Sequence, residues 1–214
     1  MCGGDNKDEC HISNGHLPAK FGLLAINTVS AVDYTITNRA TGTAGGVRFN
    51  TDIGVDYSKQ TLAFAIDFIW RTFHQTNAYS INNEIHVSDS HIGSYSGDVK
   101  TEIIGVLYHE MTHIWQWNGN GQAPGGLIEG IADFVRLKAN YAPGHRVQPG
   151  QGDKCDQGYD VTARFLDYCN GLRNGFVAEL NKKTRTGYSA QYFVDLLWKT
   201  VDQLWADYKA RYGQ

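Results

Sequence analysis

The sequence predicts an α+β fold: a small mixed β-sheet with one packed helix in the N-terminal half, a site-bearing helix at the junction, and a helical C-terminal half. Three observations predict it. Segments that alternate with period two, at 32–38 and 83–88, fall before residue 90. Apolar residues recur at helical spacing from residue 98 onward. Between them, His109-Glu110-Met111-Thr112-His113 lies within one such apolar helical run.

Composition sets the frame. At 214 residues with 42% hydrophobic residues, the chain suits one domain, expected over 21–214. Residues 1–20 are polar and read as an unstructured leader without the apolar core of a signal peptide. The net charge of -3 gives no reason to expect nucleic acid or an anionic membrane surface. No run approaches the roughly 18 apolar residues of a membrane span. A peptide or protein partner fits this frame, with a monomer as the default state. Four cysteines do not make a disulfide scaffold in a chain this long. Cys169, among Phe165, Leu166 and Leu172, reads as a buried free thiol, and Cys2, Cys10, His11 and His16 have the spacing of no common zinc site.

Taken in order, residues 21–26 suggest a first short strand, and 32–38 alternates as a second. Gly45-Gly46-Val47-Arg48-Phe49 reads as a turn into another strand. Residues 57–73 have helical spacing, with Leu62, Phe64, Ala65, Ile66, Phe68, Ile69 and Phe73 forming an apolar surface broad enough to lie against a sheet. The strand at 83–88 is expected nearest the site-bearing helix, where an exposed edge offers backbone groups to an extended peptide. That helix starts with Asp98 or Ser96 as N-cap and carries the apolar-periodic run Ile103, Ile104, Val106, Leu107, Met111, Ile114 and Trp115. Residues 118–126, rich in Gly and Asn, must reverse the chain. A second helix runs from Leu127 through Leu137, followed by a Pro- and Gly-containing loop over 142–152. Helical spacing resumes over 156–172, 176–183, 192–198 and 201–212.

The candidate chemistry sits on the first two C-terminal helices. His109 and His113, one turn apart, project from one helix face, so two imidazoles can share a metal ion. About 0.01 chance matches to this three-letter pattern are expected in the chain, so accident is a poor explanation. Glu110 is placed to take a proton from water activated at the metal, the arrangement of a zinc hydrolase. Antiparallel return of the second helix brings Glu129 to the histidines as third ligand. Asp133, one turn further on, is placed to accept the second ring N–H of a ligating histidine. Tyr159 is the first candidate for an oxyanion donor and His145 the second. His86 and His91 are spare histidines.

The segment from Gly105 to Tyr141, with His109-Glu110-Met111-Thr112-His113-Ile114-Trp115-Gln116-Trp117 and Gly125-Gly126-Leu127-Ile128-Glu129-Gly130-Ile131-Ala132-Asp133-Phe134, resembles the plant basic secretory protein family, peptidases of plants and bacteria. Gln157-Gly158-Tyr159-Asp160-Val161-Thr162-Ala163-Arg164-Phe165-Leu166, Asp67-Phe68-Ile69-Trp70 and the C-terminal helices are similar to it as well, so the resemblance spans roughly residues 31–212. It implies a zincin-like fold, a secreted zinc metallopeptidase and a role in plant defence. The Glu129-Gly130-Ile131-Ala132-Asp133 element resembles the third-ligand helix of the Glu-zincins. Thr76 to Asn82 is shorter than the matching family segment. An alternative reading keeps the scaffold and drops turnover: a defence-related binding protein.

Overall fold

The computed structural model describes residues 34–75 and 84–213 with their side chains and residues 9–14 by their backbone. Three short strands, β1 (Glu9–Asn14), β2 (Tyr34–Asn38) and β3 (Glu84–Ser88), pair in the order β2-β1-β3. Both pairings are antiparallel, so the sheet is not mixed as expected. The central strand comes from the polar segment read as an unstructured leader. Its backbone gains a partner on each side, which satisfies N–H and C=O groups whatever the hydrophobicity of the segment. The expected strand at 21–26, the remainder of 1–20 and the short segment 76–82 lie outside the described residues.

In β3 the alternation is kept, with Ile85 and Val87 buried between exposed neighbours. The glycines at 45 and 46 do not turn the chain into a strand. Thr43 accepts a hydrogen bond from Gly46 N at 3.0 Å and starts helix α1 (Ala44–Arg48), which passes into a single π-helical turn at Phe49–Ile53. A Cβ at Gly45 would strike the backbone of Asp89, the first residue of α3 (Asp89–Ser94). Glycine is there for close approach of two helices. Arg48 donates to the carbonyls of Ile92 and Tyr95 and holds the end of α3. Among its described residues the N-terminal half therefore holds these two short helices besides the expected α2 (Val55–Phe73), which buries Leu62, Ala65, Ile66, Ile69 and Phe73 at helical spacing, whereas Phe64, expected on the same apolar face, lies one position off that stripe and is 65% exposed.

Helix α4 (Val99–Trp115) begins where Asp98 accepts from the backbone N–H groups of Lys100 and Thr101 at 3.1 and 3.2 Å. Among the described residues the regular elements that follow are all helices, α5 (Gly125–Lys138), α6 (Tyr159–Leu172), α7 (Phe176–Lys183), α8 (Gln191–Leu197) and α9 (Val201–Arg211), with an irregular loop over 139–158. Thr200 and Gln203 cap α9 reciprocally. The spacing suggested that α6 begins at 156. It begins at Tyr159 because the chain enters it through Gly158 at φ 103° and Tyr159 itself at φ 44°, positive values that keep the right-handed helix from extending back to 156.

By contact density the chain divides into two compact units, residues 1–64 with 82–103 and residues 65–81 with 104–214. The first holds the sheet, α1 and α3. The second holds α5 to α9 and the histidine-bearing part of α4, around buried Met111, Ile131, Phe165, Leu166 and Tyr208. Each such side chain contributes about 1.5–3 kcal/mol on burial, so packing holds the site's framework rigid. Gly130 lies against Thr162, where a Cβ would not fit, and this lets α5 and α6 approach closely. Along α4 and α5, Gly105 meets Arg136, His109 meets Asp133 and His113 meets Glu129. The numbers rise on one helix as they fall on the other, so the two run antiparallel.

Candidate metal centre

The short turn at 118–124 lets α5 return along α4, and this places three potential ligand atoms around one point. The Nε2 atoms of His109 and His113 are 3.1 Å apart. Glu129 Oε2 lies 3.2 Å from the first and 3.7 Å from the second. Tetrahedral zinc, with bonds of about 2.0–2.1 Å, sets neighbouring ligand atoms about 3.3 Å apart, so the donor set and its spacing fit that ion. Among the described residues, these three form the group of His, Cys, Asp and Glu side chains able to hold a metal ion. His86 pairs instead with Glu84 at 3.5 Å, and His91 with Glu102 at 3.4 Å.

Asp133 is buried, not part of a solvated acidic face, at 4% exposure. Its Oδ1 lies 2.7 Å from His109 Nδ1, which places the ring proton there and turns Nε2 towards Glu129 and His113. Its other oxygen lies 3.4 Å from Arg146 Nη1, and the same nitrogen lies 3.7 Å from Asp160 Oδ1. Asp160 also accepts from the backbone N–H of Val147 at 2.8 Å. One guanidinium thus ties the carboxylate behind His109 to the first turn of α6.

Tyr159 opens that turn, and its ring stacks on His109 with centroids 5.9 Å apart and planes 13° apart. The strained φ of Tyr159 is stored beside the candidate ligands. His145 is exposed on the preceding loop, while its neighbour Arg146 lies 6.0 Å from the Tyr159 ring. Glu110 lies between the two histidines in sequence, half-buried, with its charge felt at His109. Two residues escaped the sequence reading. Arg146 comes from an irregular loop and carries no periodic signal. Gln116 does: it is a polar residue three positions after His113 among apolar neighbours, and its amide lies 2.9 Å from His113 Nδ1.

Burial works against a charge on His109, but its hydrogen bonds to Asp133 and Glu129 prevail and push its pKa up to about 9. Hydrogen bonds from His109 and His113 hold the Glu129 carboxyl well below the ordinary carboxylate range. Without metal, a proton therefore occupies the donor set. His109 is raised above its ordinary 6.5, so its contribution to stability is full below 6.5 and lost as pH rises towards 9. Glu129 is lowered, so its contribution is full above its ordinary 4.5 and lost as pH falls. The thermal midpoint of chelator-treated protein is expected to fall between pH 6.5 and 9. A midpoint flat across that range, read by circular dichroism, contradicts this account.

The chain matches the sequence profile of the family described as "Peptidase of plants and bacteria" over residues 29–82 and 78–208. It is also similar to the "Basic secretory protease" of Boswellia serrata, with 53% identity over 58 residues. That alignment covers 27% of this chain and 66% of the relative. No solved structure matches.

Proposed function

Because the chain belongs to the family of peptidases of plants and bacteria, we propose that residues 21–214, together with the strand at Glu9–Asn14, act as one zincin-like metallopeptidase domain that hydrolyses peptide bonds with zinc. One observation carries this reading: two imidazole nitrogens and a carboxylate oxygen, from antiparallel helices, stand 3.1–3.7 Å apart with Glu110 between the histidines in sequence. The zinc ligands are His109, His113 and Glu129, and Asp133 orients His109. Bound there, zinc supplies a Lewis acid that brings the pKa of water towards about 7. Glu110 takes the proton of the attacking water and then delivers it to the departing amine nitrogen. Tyr159 donates its phenol proton in a hydrogen bond to the oxyanion that develops on the scissile carbonyl.

The substrate class is peptide or protein. The name of the Boswellia relative supports an extracellular setting, and a role in plant defence rests on the family resemblance alone. Among the described residues, no helix is long and apolar enough to cross a membrane.

Tyr159→Phe is expected to lower turnover by about 10²–10³-fold, the effect of losing one oxyanion donor, with zinc content unchanged. Wild-type turnover in that variant would remove Tyr159 from the mechanism. The reading as a whole is tested by zinc stoichiometry and cleavage of a mixed peptide library, on wild type and Glu110→Gln prepared identically. One zinc per chain with cleavage by wild type alone supports the peptidase. Zinc without cleavage in either protein supports a binding protein on the same scaffold, and absence of zinc from both overturns the metal assignment.

A further inference from the structure

We propose that Gln116 is a positioning residue: its side-chain carbonyl accepts the Nδ1 proton of His113 and so keeps the Nε2 lone pair of that ring directed at the metal position. The proposal rests on the zinc reading above. Gln116 follows α4 immediately, its backbone N–H still bonding Thr112 O at 2.8 Å, and its side chain is sealed in at 2% exposure. Its position three residues after His113 puts the two side chains on the same face.

The polar arrangement there is unresolved in a particular way. Gln116 Nε2 lies 2.9 Å from His113 Nδ1 and donates to Ile128 O at 3.2 Å, while Oε1 is buried and has no partner among the described residues. A neutral histidine that gives Nε2 to a metal must carry its proton on Nδ1. That proton would then face the amide N–H of Gln116, donor against donor. Turning the amide by half a rotation about its last torsion removes the conflict. The two ends of an amide are nearly equal in size, so the turn needs no repacking, and it sets Oε1 against Nδ1–H. The turn gives up the Gln116 bond to Ile128 O and leaves Oε1 facing that carbonyl, a cost that the new bond from Nδ1–H must outweigh; the Ile128 carbonyl itself lies inside α5, where the helical ladder supplies its hydrogen bond.

The two histidines are then served alike by different chemistry. His109 has a buried carboxylate at its Nδ1, 2.7 Å away in Asp133. For His113 the group that the structure places at Nδ1 is the amide of Gln116. A neutral acceptor orients the second ring without adding another negative charge beside Glu110, Glu129 and Asp133.

The test compares the zinc dissociation constants of wild type, Gln116→Met and Gln116→Glu, by competition with a fluorescent chelator, alongside circular dichroism of the metal-free proteins. Gln116→Met keeps length and bulk but has no acceptor oxygen, and zinc should bind about 10–100-fold more weakly. Gln116→Glu keeps an acceptor at the same reach and should bind zinc as tightly as wild type or more tightly. Unchanged affinity in Gln116→Met overturns the proposal. Equal weakening in both variants also overturns it, since only the shape of the side chain would then matter. If Gln116→Met does not fold, Gln116→Glu decides by itself: weakened zinc binding there overturns the proposal, and retained binding supports it. A wild type that binds no zinc removes the metal reading and this proposal together, which no result confined to the variants does.

Discussion

Glu110→Gln is expected to hold one zinc per chain and to lose peptide cleavage by about 10²–10⁴-fold, the contribution of a positioned general base. The substitution is nearly isosteric and touches none of His109, His113 or Glu129, so the donor set survives it. What it removes is the ability to take a proton, because a neutral amide has no basic oxygen. Zinc binding should not weaken. The Glu110 charge is among the influences that raise the pKa of His109. Without it, the proton competes less well for the ring, and zinc affinity near neutral pH is expected to equal or slightly exceed that of wild type. Metal content by elemental analysis and initial rates on a peptide library, from parallel preparations, give both numbers. Turnover within a few-fold of wild type would sink Glu110 as the base. Loss of zinc would instead show that Glu110 helps to build the site.

The grouping of His109, His113 and Glu129 was legible in the sequence because helical periodicity fixes geometry over short distances. Placing His109 and His113 four residues apart on an apolar run already puts them on one face, and the turn-rich 118–126 segment requires the return that brings Glu129 and Asp133 back. Helices α2, α5 and α7 to α9 were legible for the same reason, to within a residue or two at their ends. What periodicity does not encode was missed or misread. Gly45 and Gly46 look like turn formers, and only the backbone of Asp89 against the first and of Ala40 against the second reveals that small size is the requirement. The strand at Glu9–Asn14 follows from partners distant in sequence, which a local pattern does not record. Arg146 acts from an irregular loop whose course is set by tertiary packing, so its approach to Asp133 and Asp160 had no local signature. Gln116 was readable in principle, as a polar residue between Trp115 and Trp117, but the ring atom it serves appears only once His113 has a rotamer.

Asp133→Asn should weaken zinc binding by about 10–100-fold, the usual cost of altering a carboxylate behind a ligating histidine. The carbonyl oxygen of Asn can still accept from His109 Nδ1–H, so the ring is not released. Its negative charge is lost, and with it the basicity that the carboxylate lends to the imidazole. The folding cost should stay below the roughly 3–5 kcal/mol of a broken buried ion pair, since Arg146 keeps Asp160 as a counter-charge at 3.7 Å. A second consequence separates the electrostatic role from simple damage. Asp133 also helps to raise His109 to about 9, so in wild type at pH 7 a proton must leave before zinc can bind, and in the variant that competition is weaker. Part of the deficit is therefore concealed at neutral pH and increasingly exposed towards pH 9, where about half of the wild-type rings are deprotonated without metal. The ratio of zinc dissociation constants, variant to wild type, is expected to increase from pH 7 to about 9 in chelator competition. A ratio of one at both values would end the claim that Asp133 tunes His109. A large ratio independent of pH would mean that the variant misplaces the ring, with Asp133 acting through geometry and not through charge.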